Sequence, residues 1–444
     1  MVNPGGAIFS RYITLIVEPN PAVPGGWDTS LLAPAFQGIL TGQYQLMDVN
    51  PDLSVVASLG GSLVKLLEDG TKDPTFTPPS DLVPAGGGIA VVKRQPDGKI
   101  LVAGRLKDGA LARLLPNGAY DPSFTRTNNY TGAFQDVPQE LALQSDGRIL
   151  LAGSFANFAG KPVSGLLRFL PDGQVDSTFP LTGIENVVPG TGTLFGRVMA
   201  LRVLANDRIL IGGGFTKVRG VSRVGVARLN SDGSLDTGFV PPTNGSTSSG
   251  TAGNMLFYQM GPATPEGGVY LFGQFRPDLS QAGDTLIRLL PDGSIDSSYH
   301  VYSNQQINTG VLEPDGKLIV TGQFNQIAGK NLGGFARLNL DGTADTTFVP
   351  GSTFGVGGAM LMLPDGKLLA GNRRFFTGSG PEPVVSKIQF QLAPSGLVLS
   401  WPVGFKLQRI SQLGVSNWQD VSVPSPVTVP PTTPGEFFRI VPSN

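Results

Sequence analysis

In six repeats a cation stands eight residues before the aspartate of an Asp-x-x motif: Lys65/Asp73, Arg113/Asp121, Arg168/Asp176, Arg228/Asp236, Arg288/Asp296 and Arg337/Asp345. A ring of such charges could hold a charged ligand. Identical spacing repeated along a chain, however, is what a cross-strand pair in a repeated hairpin requires, and the pairs are read as structural. The recurring Asp-Gly dipeptides invite a calcium reading, but calcium loops place oxygen ligands at alternating positions, as in Asp-x-Asp-x-Asp-Gly. Here each turn brings a single Asp, so no metal is expected. His300 is the only histidine and follows Asp296-Ser297-Ser298-Tyr299 at the start of a loop, where it has no base partner in sequence. Glu266 and Glu313 could serve as acids, yet they form no paired-carboxylate motif. Gly212-Gly213-Gly214 leads into a loop rather than a helix, which argues against phosphate binding. No catalytic, cofactor-binding or metal-ligating residue is assigned.

The element that positions these residues is legible in Gly165-Leu166-Leu167-Arg168-Phe169-Leu170-Pro171-Asp172-Gly173-Gln174-Val175-Asp176-Ser177-Thr178-Phe179. Apolar residues run into Pro-Asp-Gly. Pro171 and Asp172 suit a type I turn and Gly173 the left-handed position after it, which makes a three-residue hairpin loop with a bulge. Such a loop pairs Leu170 with Gln174 and sets Arg168 opposite Asp176 on the same side of the sheet.

From Trp27 to about Lys387 this pattern repeats. Asp-x-x-aromatic, or a close variant, occurs at Asp28, Asp73, Asp121, Asp176, Asp236, Asp296 and Asp345. Between successive copies lies a second turn followed by a β-rich strand, clearest in Pro96-Asp97-Gly98-Lys99-Ile100-Leu101-Val102-Ala103-Gly104. Asp52, Asp207 and Glu266 mark degenerate copies of that turn. Each unit offers four strands, and four-stranded units tied by tight glycine turns predict β-propeller blades. The expectation is an all-β chain: a seven-bladed β-propeller over residues 19–387 and a small C-terminal β-sandwich-like domain over residues 388–444.

Composition agrees. The chain has 61 Gly, 37 Pro and 40% hydrophobic residues, enough for a sizeable core in many short strands. Net charge is −1, which gives no surface for nucleic acid. The absence of cysteine excludes disulfides and thiolate metal sites. No apolar run is long enough to insert in a membrane. In the tail, two tryptophans and the adjacent Phe437-Phe438 could fill a small all-β core.

The composite pattern Pro-Asp-Gly-Lys-Ile-Leu-x-Ala-Gly-x-Phe followed by Ala-Arg-Leu-Asn-x-Asp-Gly-Ser-x-Asp-x-x-Phe resembles the delta-60 repeat family of bacterial β-propellers; residues 207–239 and 315–348 match it almost throughout. The first unit departs from it, with Leu53 where the turn glycine belongs. The tail, with Leu399-Ser400-Trp401-Pro402 and a terminal Phe437-Phe438-Arg439-Ile440, resembles C-terminal β domains of large secreted bacterial proteins. Residues 2–17 resemble the last hairpin of a bacterial immunoglobulin-like domain, and can equally be read as an ordinary edge strand; residues 1–18 are set apart on that basis. These resemblances imply an extracellular or cell-surface protein, part of a longer multidomain chain, and carry over no catalytic residue.

Topology says where binding could occur. If the four strands of each unit alternate in direction, both Asp-Gly turns fall on one end. The other end receives longer, variable connections, and binding residues favour such loops on a rigid scaffold. Tyr130, Phe158, Lys217, Arg219, Arg223, Arg276, Lys330, Arg373 and Arg374 are placed there, facing a protein or polysaccharide partner in a non-catalytic binding or scaffold role. The alternative is a carbohydrate-active hydrolase or lyase with carboxylates converging at the axial mouth. The ring is expected to close by joining its ends: residues 27–31 beside residues 384–390, with Lys387 facing Asp28. A competing closure uses residues 12–17 as the third strand of the last blade, with residues 386–392 opening the tail domain.

Overall fold

The computed structural model describes residues 44–49, 54–59, 62–67, 71–84, 86–126, 138–188, 192–242, 245–246, 255–275, 284–348, 360–363, 366–370, 373–375 and 377, and six strands between 389 and 442. All elements among these residues are strands, turns and bends; none is a helix. The chain divides into two units, Met1–Gly380 and Pro381–Asn444.

In the first unit, seven sheets built on antiparallel three-strand meanders follow one another among the described residues, with three further sheets of short hairpins beside them. Sheet 1 comprises Tyr44–Val49, Val55–Leu59 and Ser62–Leu66; sheet 2, Gly88–Arg94, Ile100–Leu106 and Gly109–Leu114. Sheet 3 comprises Pro138–Leu143, Ile149–Gly153 and Leu166–Phe169; sheet 4, Arg197–Val203, Ile209–Gly214 and Val226–Leu229. Sheet 5 is built on Met255–Ala263, Val269–Phe275 and Asp284–Leu289. Sheet 6 comprises Ile307–Leu312, Leu318–Gly322 and Phe335–Leu338; sheet 7, Met360–Met362, Leu368–Ala370 and Arg373–Phe375. The first strand of each sheet contacts the first strand of the next, and Met360–Met362 contacts Tyr44–Val49.

The cores lie between sheets. On Ile149–Gly153, Ile149 and Leu151 pack with Leu101 and Ala103 of sheet 2, while Leu150 and Ala152 pack with Val198 and Ile211 of sheet 4. The same division recurs between sheets 4 and 5, 5 and 6, and 6 and 7. A middle strand buried on both faces must be apolar at every position, which is why Ile-Leu-Leu-Ala is continuous rather than alternating. Each fully buried Leu, Ile or Phe stabilises by roughly 1.5–3 kcal/mol.

The hairpin over residues 170–174 has the geometry its sequence requires. Leu170 N donates to Gln174 O at 2.8 Å, Gly173 N to Leu170 O at 2.9 Å, and Gly173 has φ 88°. The expected fourth strand is corrected. In sheets 1, 2, 3, 4 and 6 it is reduced to one bridge, such as Phe169 to Val175. Asp176 then turns the chain: its Oδ1 accepts from Thr178 N at 2.9 Å and Thr178 Oγ1 at 2.6 Å, and Phe179 N donates to Asp176 O. An Asp side chain that captures the amide two residues on interrupts the ladder at that point. Sheet 5 has the same interruption at Asp296 and Ser298, but there pairing with Asp284–Leu289 resumes at His300 and Val301, so Ile295–Val301 forms a fourth strand with a bulge.

The degenerate inner turn marked by Asp207 is present, with Leu204 N donating to Arg208 O at 2.9 Å. Within it Asn206 accepts from Arg208 N at 3.2 Å and Asp207 takes the glycine position with φ 61°. In the last blade, the place expected for residues 384–390 is taken by Arg373–Phe375, two residues after Leu368–Ala370. Gln389–Ala393 instead pairs with Gly396–Ser400 in the second unit. Lys387, Asp28, residues 12–17 and residues 27–31 lie outside the described residues.

The second unit contains two three-stranded antiparallel sheets. One joins Gln389–Ala393, Gly396–Ser400 and Val427–Val429; the other joins Gln419–Asp420, Phe405–Ile410 and Phe437–Pro442.

Candidate functional site

Each repeated arginine engages three groups. Arg113, Arg168 and Arg228 donate from Nε to Oδ2 of Asp121, Asp176 and Asp236 at 2.8, 2.8 and 2.7 Å. Their Nη1 reaches into the following sheet, to Pro171 O at 2.6 Å, Ser231 O at 2.5 Å and Pro291 O at 2.6 Å. Each acceptor is the residue before the Asp-Gly of the next outer turn. The guanidinium faces lie 4.6, 4.5 and 4.7 Å from the ring centroids of Phe124, Phe179 and Phe239, which explains the aromatic of Asp-x-x-Phe. Arg288 and Arg337 repeat the arrangement with Asp296 and Tyr299, and with Asp345 and Phe348. Their Nη1 groups donate to Leu340 O and Thr377 O. Lys65 pairs with Asp73 at 3.2 Å.

A second cation lies beside four of the six aspartates, and the sequence reading missed it. Lys99, Arg148 and Arg208 lie 3.4 Å from Asp121, Asp176 and Asp236, and Lys317 lies 2.8 Å from Asp345. All four follow the glycine position of the inner turn, a recurrence that could have revealed them. Burial alone would raise the Asp121 carboxyl; the hydroxyl and amide of Ser123 and the Arg113 guanidinium outweigh it and hold it well below the usual carboxylate range. Asp345 is lowered likewise, against burial, by Lys317, Thr347 and Arg337.

Other candidates are dispersed. His300 lies exposed on Ile295–Val301, with Nε2 3.1 Å from Ser297 O. Glu266 sits in an exposed turn, whereas Glu313 is buried with Oε1 3.7 Å from Arg337 Nη1. Gly212, Gly213 and Gly214 belong to the strand Ile209–Gly214.

Short hairpins that follow the second strands carry several residues assigned to binding. Lys217 and Lys330 are exposed on the hairpins of residues 217–222 and 326–331. Arg219 is half-buried and clamps two carbonyls, donating from Nε and Nη2 to Gly233 O and from Nη2 to Pro180 O. Two assignments are corrected. Phe158 is buried, its ring edge-on to Phe169 at 5.7 Å, because the hairpin turns it into the core. Arg223 is 5% exposed and donates to its neighbour Ser222 O. Burial pulls the guanidinium pKa of both Arg219 and Arg223 down. Arg373 and Arg374 lie on the third strand of sheet 7, not in a loop. Tyr130 and Arg276 lie outside the described residues.

The structure adds a set that sequence reasoning did not single out. Six of the seven first strands carry a bulge at the same register, placing one extra residue in each: Met47, Ala90, Gln139, Met199, Tyr258 and Asn308. The glycine that ends the second strand makes room for it. A Cβ at Gly104 would lie 2.1 Å from Gly88 O, and one at Gly322 2.3 Å from Gln306 O. Bulges re-aim side chains and gather near functional sites. Gln139 and Met199 are exposed, the latter at 53%, and Ala90 and Asn308 are half-buried. Unlike the arginine and aspartate positions, this position changes chemistry from sheet to sheet.

Residues 95–124, 144–179, 204–239 and 313–348 match the family model described as a domain of unknown function (DUF5122) beta-propeller. These are DUF5122 β-propeller repeats. The match bears out the resemblance drawn from the repeat motif. Each matched stretch runs from the residue before an inner turn to the aromatic that stacks on the arginine, so the DUF5122 unit is the complete latch of one blade. No curated protein matches the chain. Among solved structures, the chain is similar to the extracellular domain of BT4673, assigned as a one component system, from B. thetaiotaomicron, at 12% identity and TM-score 0.43. That alignment covers 80% of this chain and 42% of the other, so the chain spans less than half of that protein's length. Virginiamycin B lyase from Staphylococcus aureus aligns at 10% identity and TM-score 0.43, over 75% of this chain and 94% of the lyase. PorZ, a bacterial surface component of the type-IX secretion system of Porphyromonas gingivalis, aligns at 12% identity and TM-score 0.43, over 89% and 53% of the two chains.

Proposed function

We propose that this chain is a non-catalytic binding or scaffold module of a secreted or cell-surface bacterial protein. Its DUF5122 repeats form a closed seven-bladed ring, and a protein or polysaccharide partner is engaged at the long-loop end. One observation carries the reading. The repeated ionisable side chains are engaged in latches within and between sheets, whereas the repeated bulge carries a neutral residue whose type varies among Met, Ala, Gln, Tyr and Asn. Thioether, carboxamide and methyl groups held at one level suit a ligand recognised by shape and hydrogen bonds rather than by charge. The cyclic contacts of the first strands support ring closure, which removes the open edges that seven separate sheets leave. The surface location rests on the resemblance of the repeats and tail to exported bacterial proteins.

A glycan array combined with pull-down tests the proposal. Retention of a defined glycan or protein in unaltered form supports it. Chain-dependent cleavage of the retained glycan, read by mass spectrometry, overturns the non-catalytic reading.

A further inference from the structure

At the Asp-Gly turn end, between sheets 4 and 5, lies a cleft of about 150 Å³ lined by Leu204, Asn206, Arg208, Arg228, Glu266 and Pro291 among others. The equivalent place between sheets 3 and 4 is filled from within. There the carboxamide of Gln144 accepts from Arg168 Nη1 at 3.1 Å through Oε1 and donates to Ser231 O at 3.0 Å through Nε2. Leu204 occupies the position of Gln144 and has no such group.

Arg228 shows the consequence. It is 5% exposed, with Nε on Asp236 and Nη1 on Pro291 O. Nη1 of Arg168 meets both Ser231 O and Gln144 Oε1, whereas Nη1 of Arg228 meets Pro291 O and finds no carboxamide at position 204. Two cations, Arg208 and Arg228, face two carboxylates, Asp236 and Glu266, so the charges balance and a neutral ligand is favoured over an anion.

We propose that this cleft binds a carboxamide group, of the kind an asparagine or glutamine side chain carries: its carbonyl oxygen accepts from Arg228 and its amide donates to Pro291 O. The cleft reproduces the acceptor and donor that Gln144 meets in the neighbouring junction, with the internal ligand removed. It is distinct from the long-loop end and stands without the function proposed for it.

Acetamide is the probe, titrated into the ¹⁵N-labelled full chain and followed by nuclear magnetic resonance, with acetate as the charged isostere. The expected result is saturable shifts at the Arg228 side chain and at Gly267, in the millimolar range that so few heavy atoms allow. Leu204→Gln should abolish them and raise Tm, because it restores the plug present at the neighbouring junction. A Leu204→Met variant retains the apolar character of the position and should still bind. Absence of saturable shifts, equal shifts in Leu204→Gln, or tighter binding of acetate than of acetamide would each overturn the assignment.

Discussion

The arginine of each repeat carries more structural duty than its pairing with aspartate implies. Arg168 is nearly buried, is capped on its face by Phe179, and joins its own sheet to the next through Ser231 O. Asp176→Ala leaves this cation without its closest counter-charge and removes the cap on Thr178. Loss of one partner of a buried pair is expected to cost about 3 kcal/mol, read as a lower urea midpoint. Asp73→Ala should cost about 1 kcal/mol, since the Lys65 pair is more exposed. The pH dependence follows from the depressed carboxyls of Asp121, Asp176, Asp236, Asp296 and Asp345. Groups with folded values below the unfolded one, about 4, contribute fully above that pH and lose the contribution as pH falls toward the folded value. The urea midpoint should therefore hold from neutrality to about pH 4 and fall steeply below it. A midpoint that falls mainly between pH 7 and 5 would mean that other groups dominate.

Hairpins and bulges set the scale above. The bulge and its facing glycine are one device: Gly104→Ala forces a Cβ onto the Gly88 carbonyl and is expected to cost about 3 kcal/mol, measurable by urea denaturation. The opposite change is available in the hairpin of residues 157–162, where Ala159 at φ 49° precedes Gly160 at φ 77°. Two central residues with positive φ favour Asn at the first, so Ala159→Asn should stabilise by about 0.5 kcal/mol, on the scale of backbone-compatible turn substitutions. The turn chemistry was readable because Pro-Asp-Gly dictates its own geometry locally. The bulge was not, because the residue at that point ranges from Ala90 to Asn308 to Met199, and its most regular signal is a glycine on the strand beside it, replaced by Ala57 in sheet 1. Phe158 was misplaced for the same reason: sequence locates the hairpin but not which of its faces the adjacent sheet covers. The fourth strand is interrupted in every repeat by the aspartate's local hydrogen bond to the amide two residues on, invisible to a strand pattern, and it resumes only in sheet 5 among the described residues.

For the whole molecule, the repeat period gave the architecture because each sheet's apolar strands make sense only with a neighbour on both faces. Positions recruited once, such as Arg373–Phe375 in the last sheet, carry no periodic signal and were assigned elsewhere. Metal is expected to contribute nothing to folding, and a melt with chelator should match one without to within about 5 °C, of order 1 kcal/mol. In the proposed function the latches build the ring and the bulge residues meet the partner. The direct measurement is binding by the variant Gln139→Ala/Met199→Ala/Asn308→Ala to whichever glycan or protein the unaltered chain retains, with the urea midpoint of both recorded in parallel. At least a tenfold loss of affinity, about 1.4 kcal/mol, is expected with an unchanged midpoint. Unchanged affinity in a normally folded variant would contradict it.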